Sequence, residues 1–557
     1  MKREFSLGLW HGGDIRPEPY EEIITGVIQD VHRPIYLIRK NNTIHVALDG
    51  SVELDSVVAM SSPAGSKGRY PLIALVPPLP PDSLGDPYFK AEIGLRYAYV
   101  VGAMANGITS VEMVEAAARA GMVGFFGAAG LDVASIEQAI GQLKQCLGRL
   151  PYGFNLIHSP GDPDLEFATV RLYIENSINL ISASAFMDLT PALVYYRIKG
   201  IRRNADGTIF CPNRVIGKIS REEVARKFFS PPPAKIVNWL QEKGLISPAE
   251  AALSAHMPVA DMLTAEADSG GHTDNRPALS LLPTITALRN QLAAKFAYSK
   301  PLCVGLGGGI ATPEAVVAAF SMGAAYVLTG SIHQSCVESG TSDAVRTLLA
   351  QAGQADVAMA PAADMFEMGV KVQVLKRGTM FPLRAGKLYD LYSRHATYES
   401  IHAKDRVMLE RDYFRRSFDD EWEQARSFFQ RRDPSQIEKA ESDPRHKMAL
   451  VFRSYLGQSS NWANTGEPSR QMDYQIWCGP SIGAFNAWVK DTFLESPDNR
   501  KTDIVAKNLL LGAATLTRSQ QLMQQGIRLP GGACQYTPKP LDEIDKMLQG
   551  YGKHDSS

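Results

Sequence analysis

The stretch Val304-Gly305-Leu306-Gly307-Gly308-Gly309-Ile310 joins an apolar run to three consecutive glycines and leads into a segment of helical period. Where no Cβ intervenes, backbone N–H groups can approach an anion closely, and a following helix N-terminus adds a favourable dipole. The chemistry this suits is phosphate binding. About 20 residues later Tyr326-Val327-Leu328-Thr329-Gly330-Ser331 supplies a second apolar run ending in small residues, and in a barrel of parallel strands the loops after the seventh and eighth strands commonly share one phosphate cradle. A dinucleotide fingerprint fits less well. Gly305 and Gly307 open a G-x-G-x-x-G whose last position is Ile310, and no strand-terminal acid follows about 20 positions on.

A second constellation is Glu266-Ala267-Asp268-Ser269-Gly270-Gly271-His272-Thr273-Asp274-Asn275. Its paired glycines let the chain lie flat against a planar ligand and place a histidine immediately beyond, able to give or take a proton near neutral pH. Asp268, His272 and Asp274 could be read as metal ligands, but alternation on one loop is unspecific and no metal is expected. A loop histidine held only by hydrogen bonds is the plainer alternative. Met104-Ala105-Asn106-Gly107, Asn155 and Lys218 put further polar groups at or near strand ends. Together they would suit an electron-poor, oxygen-rich ring that gains negative charge when reduced. Taken singly, each is equally a core amide or a solvated lysine. Cys478, beside Trp477, reads as buried packing rather than a nucleophile. The chain contains no G-x-S-x-G, Walker, H-E-x-x-H or kinase signature.

These residues need a frame that brings strand ends together. Eight short apolar runs alternate with helical pattern: Tyr97–Met104, Met122–Phe126, Tyr152–Ile157, Asn179–Ala185, Val215–Ile219, Asp261–Ala267, Leu302–Leu306 and Tyr326–Gly330. Helices are expected between most of them, as at Ser110–Ala120, Ser135–Leu147, Ala278–Ala294 and Pro313–Met322, the last with Thr312 as N-cap and Pro at N1. The simplest closure is an α/β fold, a (β/α)₈ TIM barrel over residues 89–355. Residues 1–88 form a small β-rich N-terminal segment, with strands expected at Pro34–Ile38 and Thr43–Leu48 and a proline-rich linker from Val76 to Asp82. Residues 356–550 read as a mainly helical C-terminal or lid region, and Tyr551–Ser557 as a frayed end.

Of the 557 residues, 45% are hydrophobic and 21% charged, enough apolar material for a sizeable core. Lys+Arg 58 against Asp+Glu 59 leaves a formal charge of -1 and no global basic field for nucleic acid or an anionic membrane. The N-terminus has no apolar leader pattern, and no apolar run approaches the roughly eighteen residues of a membrane span, so a cytoplasmic location is expected. Six scattered cysteines without a C-x-x-C pair read as reduced thiols. Basic stretches such as Lys199–Arg203 read as solvated faces.

Four motifs carry a family likeness: Glu266–Pro277, Gly102–Gly107, Ala360-Pro361-Ala362-Ala363-Asp364-Met365-Phe366-Glu367 and Asp473-Tyr474-Gln475-Ile476-Trp477. They resemble the PfaD family, the stand-alone FMN-dependent enoyl reductases of bacterial polyunsaturated fatty acid synthases and trans-acyltransferase polyketide synthases, within the wider nitronate monooxygenase and FMN enoyl reductase group. The resemblance implies FMN and NADPH as cofactors, an enoyl thioester as substrate, acyl carrier protein domains as partners, and a homodimer as one form of assembly. It further implies that Gly307, Gly308, Gly309, Gly330 and Ser331 hold the phosphate. Ala103, Met104, Asn106, Asn155, Lys218, Glu266, Gly270 and Gly271 would line the ring and ribityl chain, with His272 as the proton-handling group. Two positions depart from the family: His333 stands before Gln334 where Asn is expected, beside the phosphate, and Leu306 stands where a small residue is usual. The alternatives are a nitronate monooxygenase-like flavin oxidase in the same fold, a non-catalytic synthase subunit, and a sugar-phosphate barrel enzyme, since one cradle takes any phosphate.

Overall fold

The computed structural model describes residues 6–16, 18–54, 68–159 and 162–549, so the end at Tyr551–Ser557 lies outside the described residues. The chain opens with β1 (Gly8–His11), β2 (Ile35–Lys40), β3 (Thr43–Ala47), β4 (Ser51–Glu53) and β5 (Arg69–Val76), an antiparallel sheet in the order β3-β2-β5-β1-β4. The Tyr20–Gln29 helix closes one face by burying Tyr20, Ile24, Val27 and Ile28, which recur at helical spacing. The proline stretch that follows is anchored and not loose: the Leu79 N–H donates to the Val31 carbonyl at 2.8 Å.

All eight apolar runs form strands. They are β6 (Tyr99–Val101), β7 (Val123–Phe126), β8 (Gly153–Ile157) and β9 (Leu180–Ser184), then, after a small hairpin β10 (Arg202–Arg203) and β11 (Ile209–Phe210), β12 (Arg214–Ile219), β13 (Met262–Glu266), β15 (Cys303–Gly307) and β16 (Val327–Thr329). Between β13 and β15 lies β14 (Gly271–His272), outside the barrel. The eight pair in parallel, in chain order, and close on themselves. β6 stops short of its expected end because the Met104 N–H donates to the Thr109 hydroxyl at 2.8 Å and turns the chain out of the strand. The intervening helices start where short polar side chains cap them. Ser110, Asp132, Asp162, Thr190 and Thr312 each accept from a backbone N–H three residues on, and Pro163, Pro191 and Pro313 occupy the first turn.

Side-chain alternation decides what faces the barrel axis. Val100, Phe125, Leu180, Ile216, Met262, Cys303 and Tyr326 form the inner core, and Phe89 from the Pro87–Ile93 helix stacks on Tyr326 at 4.1 Å to plug the floor. Gly305 is required beside that ring, since a Cβ there would lie 2.3 Å from it. Moving along the same inward rows toward the C-terminal mouth brings up Asn155, Lys218, Glu266, Gly307 and Gly330.

The region after 356 begins with strands, β17 (Val357–Pro361) and β18 (Lys371–Leu375), and β18 pairs with both β17 and β14. Helices follow, including Phe381–Arg394 and Pro444–Thr465, with an apolar core of their own that includes Phe366, Val374, Leu388, Phe414, Phe452 and Tyr455. The long Thr502–Gln524 helix leaves this unit and packs on the barrel helix Pro313–Ser321, where a Cβ on Gly512 would meet Pro313 at 2.6 Å. Its last turn reaches the N-terminal sheet, the Gln525 amide exchanging hydrogen bonds with the Leu75 backbone at 2.9 and 3.0 Å. Among the described residues no helix is long and apolar enough to cross a membrane.

Candidate active site

Strand register brings the two glycine turns together. Gly307 faces Glu266 on β13 and Leu328 on β16, so the loops after β13, β15 and β16 leave the barrel side by side. Gly308 and Gly309 adopt φ of +86° and +78°, which disfavours any side chain. A Cβ on Gly308 would also lie 2.7 Å from the Ala267 carbonyl, whereas at Gly309 or Gly330 it would meet nothing within 4 Å. Among the described residues none accepts a hydrogen bond from the backbone N–H of Gly308, Gly309 or Gly330. Cβ-free walls with free donors fit a phosphate. Ser331 Oγ accepts from the Gly479 N–H at 3.0 Å, which ties this turn to the C-terminal region.

Next to the cradle, Lys218 Nζ and Glu266 Oε1 form an ion pair of 2.7 Å, with both side chains largely buried. Buried Asn155 accepts from Ser184 Oγ at 3.2 Å. Beneath them Thr264 Oγ1 and Tyr326 Oη share a hydrogen bond of 2.8 Å that closes the floor of the mouth. Ala103 and Met104 sit half-buried on the rim. Asn106, at φ +57°, reaches the mouth as well, but its Nδ2 donates to Ser460 Oγ at 3.0 Å on the Pro444–Thr465 helix. It therefore bridges barrel and C-terminal region.

The Gly270-Gly271-His272 turn is shaped from both sides. A Cβ on Gly270 would lie 2.6 Å from the Cys478 Cα, so two backbones pack directly, while Gly271, at φ +77°, faces open space. His272 is 32% exposed, and its Nε2 lies 3.2 Å from Asp364 Oδ1. Burial lowers the imidazole pKa, but the Asp364 hydrogen bond and charge, with the charge of Glu266, outweigh it and leave it above the ordinary histidine value. Asp268 and Asp274 do not converge with His272. Asp268 accepts the Asn275 and Gln373 amides at 2.8 Å each. Asp274 takes Ser220 at 2.6 Å and both arms of Arg221 at 2.8 and 2.9 Å, and Arg221 holds its carboxyl down at about 2.

His333 is fully buried and bonds Tyr99 Oη at 2.8 Å; burial pushes it to about 3. The contact expected beside the phosphate is therefore a neutral hydrogen bond inside the barrel wall. Cys478 is fully buried and pushed up to about 12 by that burial, so it packs and does not attack.

Several groups at the mouth escaped the sequence reading. Buried Glu166 accepts from Thr190 Oγ1 and lies 3.2 Å from His158 Nδ1, whose ring stacks on Phe186 just beyond β8. The signal was a histidine three residues past Asn155 at a barrel strand end. Asp364, Gln373, Ser460 and Gly479 come from the C-terminal region, and only the tertiary fold brings them here.

A family model described as nitronate monooxygenase matches residues 89–385. One described as acyl-carrier-protein S-malonyltransferase, inserted helical domain, matches residues 395–474. Polyketide biosynthesis protein PksE of Bacillus subtilis (strain 168) is 46% identical over 446 residues, covering 80% of this chain and 58% of that protein. A polyunsaturated fatty acid synthase subunit of Thraustochytrium sp. (strain ATCC 26185 / S-3) is 45% identical over 455 residues, covering 80% of this chain and 30% of that protein. The chain thus spans less than two thirds of the length of these curated relatives. The crystal structure of the enoyl reductase domain of MlnA, from the macrolactin biosynthesis cluster of Bacillus amyloliquefaciens, is similar with a TM-score of 0.76 at 39% identity, covering 79% of this chain and 99% of that one. Because the nitronate monooxygenase match takes in every barrel strand and both glycine turns, the chain belongs to the nitronate monooxygenase family, grouped with the synthase proteins just named.

Proposed function

We propose that this protein is an oxidoreductase that uses NADPH and FMN to reduce the 2,3 double bond of enoyl thioesters on acyl carrier protein, in polyunsaturated fatty acid or polyketide synthesis. The observation that carries the reading is the register of Gly307 with Leu328, which sets two Cβ-free turns side by side next to His272 and the Lys218–Glu266 pair. The likeness to the MlnA enoyl reductase domain supports the substrate class.

Gly308, Gly309, Gly330 and Ser331 would hold the FMN phosphate, with Gly307 keeping their shared floor free of side chain. Ala103, Met104, Asn155, Lys218, Glu266, Gly270 and Gly271 would border the ring and ribityl chain, and Asn106 would position the rim. Bound FMN supplies hydride transfer, which no side chain of this protein can perform. Lys218, neutralised by Glu266 in the free site, offers a cationic donor at the mouth for negative charge that develops there. His272, whose pKa Asp364 and Glu266 raise, would supply the proton at the α-carbon of the enoyl thioester. The C-terminal region covers the mouth through Ser460, Cys478, Gly479 and Asp364 and shields it from water.

Anaerobic titration tests this. NADPH should bleach the flavin bands of the purified protein, and a carrier-bound enoyl thioester should restore them. A preparation that gains no flavin absorbance from added FMN, or that bleaches without recovering, overturns the proposal. The family description favours a second reading, a nitronate-oxidising enzyme; oxygen uptake with a nitronate and none of the enoyl-driven recovery would establish it.

A further inference from the structure

His272 lies on a strand whose register is set from outside the barrel. Gly271 and His272 pair with Gln373 and Val372 of β18, and Val372 pairs in turn with Ala360 of β17. Three residues past the end of β17 stands Asp364, in the Ala360–Glu367 motif. Its Oδ1 lies 3.2 Å from His272 Nε2 and also accepts the Met365 N–H at 3.1 Å, which holds the carboxylate in place. The loop is pinned on both flanks. The Ala362 N–H donates to the Val370 carbonyl at 2.9 Å, and Arg453 reaches from the Pro444–Thr465 helix to the Ala363 carbonyl at 2.9 Å and to Glu367 at 3.2 Å. A carboxylate only accepts, so the proton on the bonded ring nitrogen belongs to Nε2. Among the described residues none bonds Nδ1.

We propose that Asp364 is the positioning residue of His272: it fixes the ring plane and the Nε2–H tautomer, leaving Nδ1 as the proton-exchanging atom, so that the barrel histidine is competent only with the C-terminal region in place. The role of His272 in enoyl reduction rests on the function proposed above; the pairing itself does not. The other charges facing the ring are Glu266 and Lys218, from β13 and β12, bound to each other at 2.7 Å and acting on the imidazole in opposite directions. Asp268 and Asp274, on its own loop, are engaged by Gln373 and Arg221. Asp364 is thus the hydrogen-bonded charge that favours the imidazolium.

The experiment is the titration of His272 in the flavin-loaded protein, followed by nitrogen NMR of labelled histidine, beside the pH profile of enoyl reduction. In the wild type, nitrogen shifts should report the Nε2–H tautomer in the neutral ring; an Nδ1–H tautomer overturns the proposal without any variant. In Asp364→Asn the His272 midpoint should move to lower pH, the alkaline limb of the profile should follow it, and enoyl reduction should fall about tenfold or more. Flavin retention and reduction by NADPH should be unchanged, and Asp364→Glu should restore midpoint and profile. An unmoved midpoint in Asp364→Asn overturns the pairing. A midpoint that moves without the profile overturns the proton-handling role of His272, and with it that part of the proposed function.

Discussion

At the scale of single residues, the site is defined as much by missing side chains as by present ones. A Cβ at Gly330 meets nothing within 4 Å. On the proposed function, Gly330→Asp should keep the fold yet lose FMN, because the carboxylate would occupy the phosphate position with the wrong charge. Absorbance in the flavin bands against an unchanged circular dichroism spectrum checks this. Gly308 is a less clean probe, since its φ of +86° and the Ala267 carbonyl forbid a side chain for reasons unconnected with phosphate. His272→Ala should keep flavin and slow enoyl reduction on the order of 10²-fold, read by stopped-flow reoxidation of the reduced protein. Unchanged reoxidation would leave His272 an architectural residue. The glycines and His272 were legible in the sequence because turn chemistry is local. Asp364 was not, because it lies 92 residues away along the chain.

At the scale of elements, the barrel followed from pattern and the covering sheet did not. Each barrel strand is buried on both faces and so appears as a continuous apolar run, and the caps Ser110, Thr190 and Thr312 mark where helices begin. β14 is two residues long and β17 ends in proline, so neither produces a periodic signal. Their pairing through β18 nevertheless decides where His272 stands. Packing at this seam is tight: Gly270→Ala puts a methyl 2.6 Å from the Cys478 Cα, with backbone on both sides. It should cost about 1–3 kcal/mol in denaturant unfolding and loosen the cover over the mouth, seen as faster amide exchange at 478–479.

At the scale of the molecule, two apolar cores meet at the candidate site, one running through the barrel and the Thr502–Gln524 helix, the other confined to 360–456. The barrel core carries a pH signature. The fold holds His333 neutral down to about 3, whereas the unfolded chain takes up that proton at the ordinary value of 6.5. Between these values the unfolded state binds more protons, so stability falls as pH drops through the window and rises as pH climbs back. His333→Asn should flatten that dependence, measured as a smaller loss of thermal midpoint between pH 7 and pH 5. The sequence by itself determined the eight-stranded barrel, the paired glycine turns and the histidine beyond strand six, because burial periodicity and turn conformation are properties of neighbouring residues. Only the tertiary structure decided which carboxylate meets that histidine, which helix holds Asn106 and what seals the mouth. Those contacts join residues far apart in the chain, and their geometry follows from how the barrel core and the 360–456 core pack together.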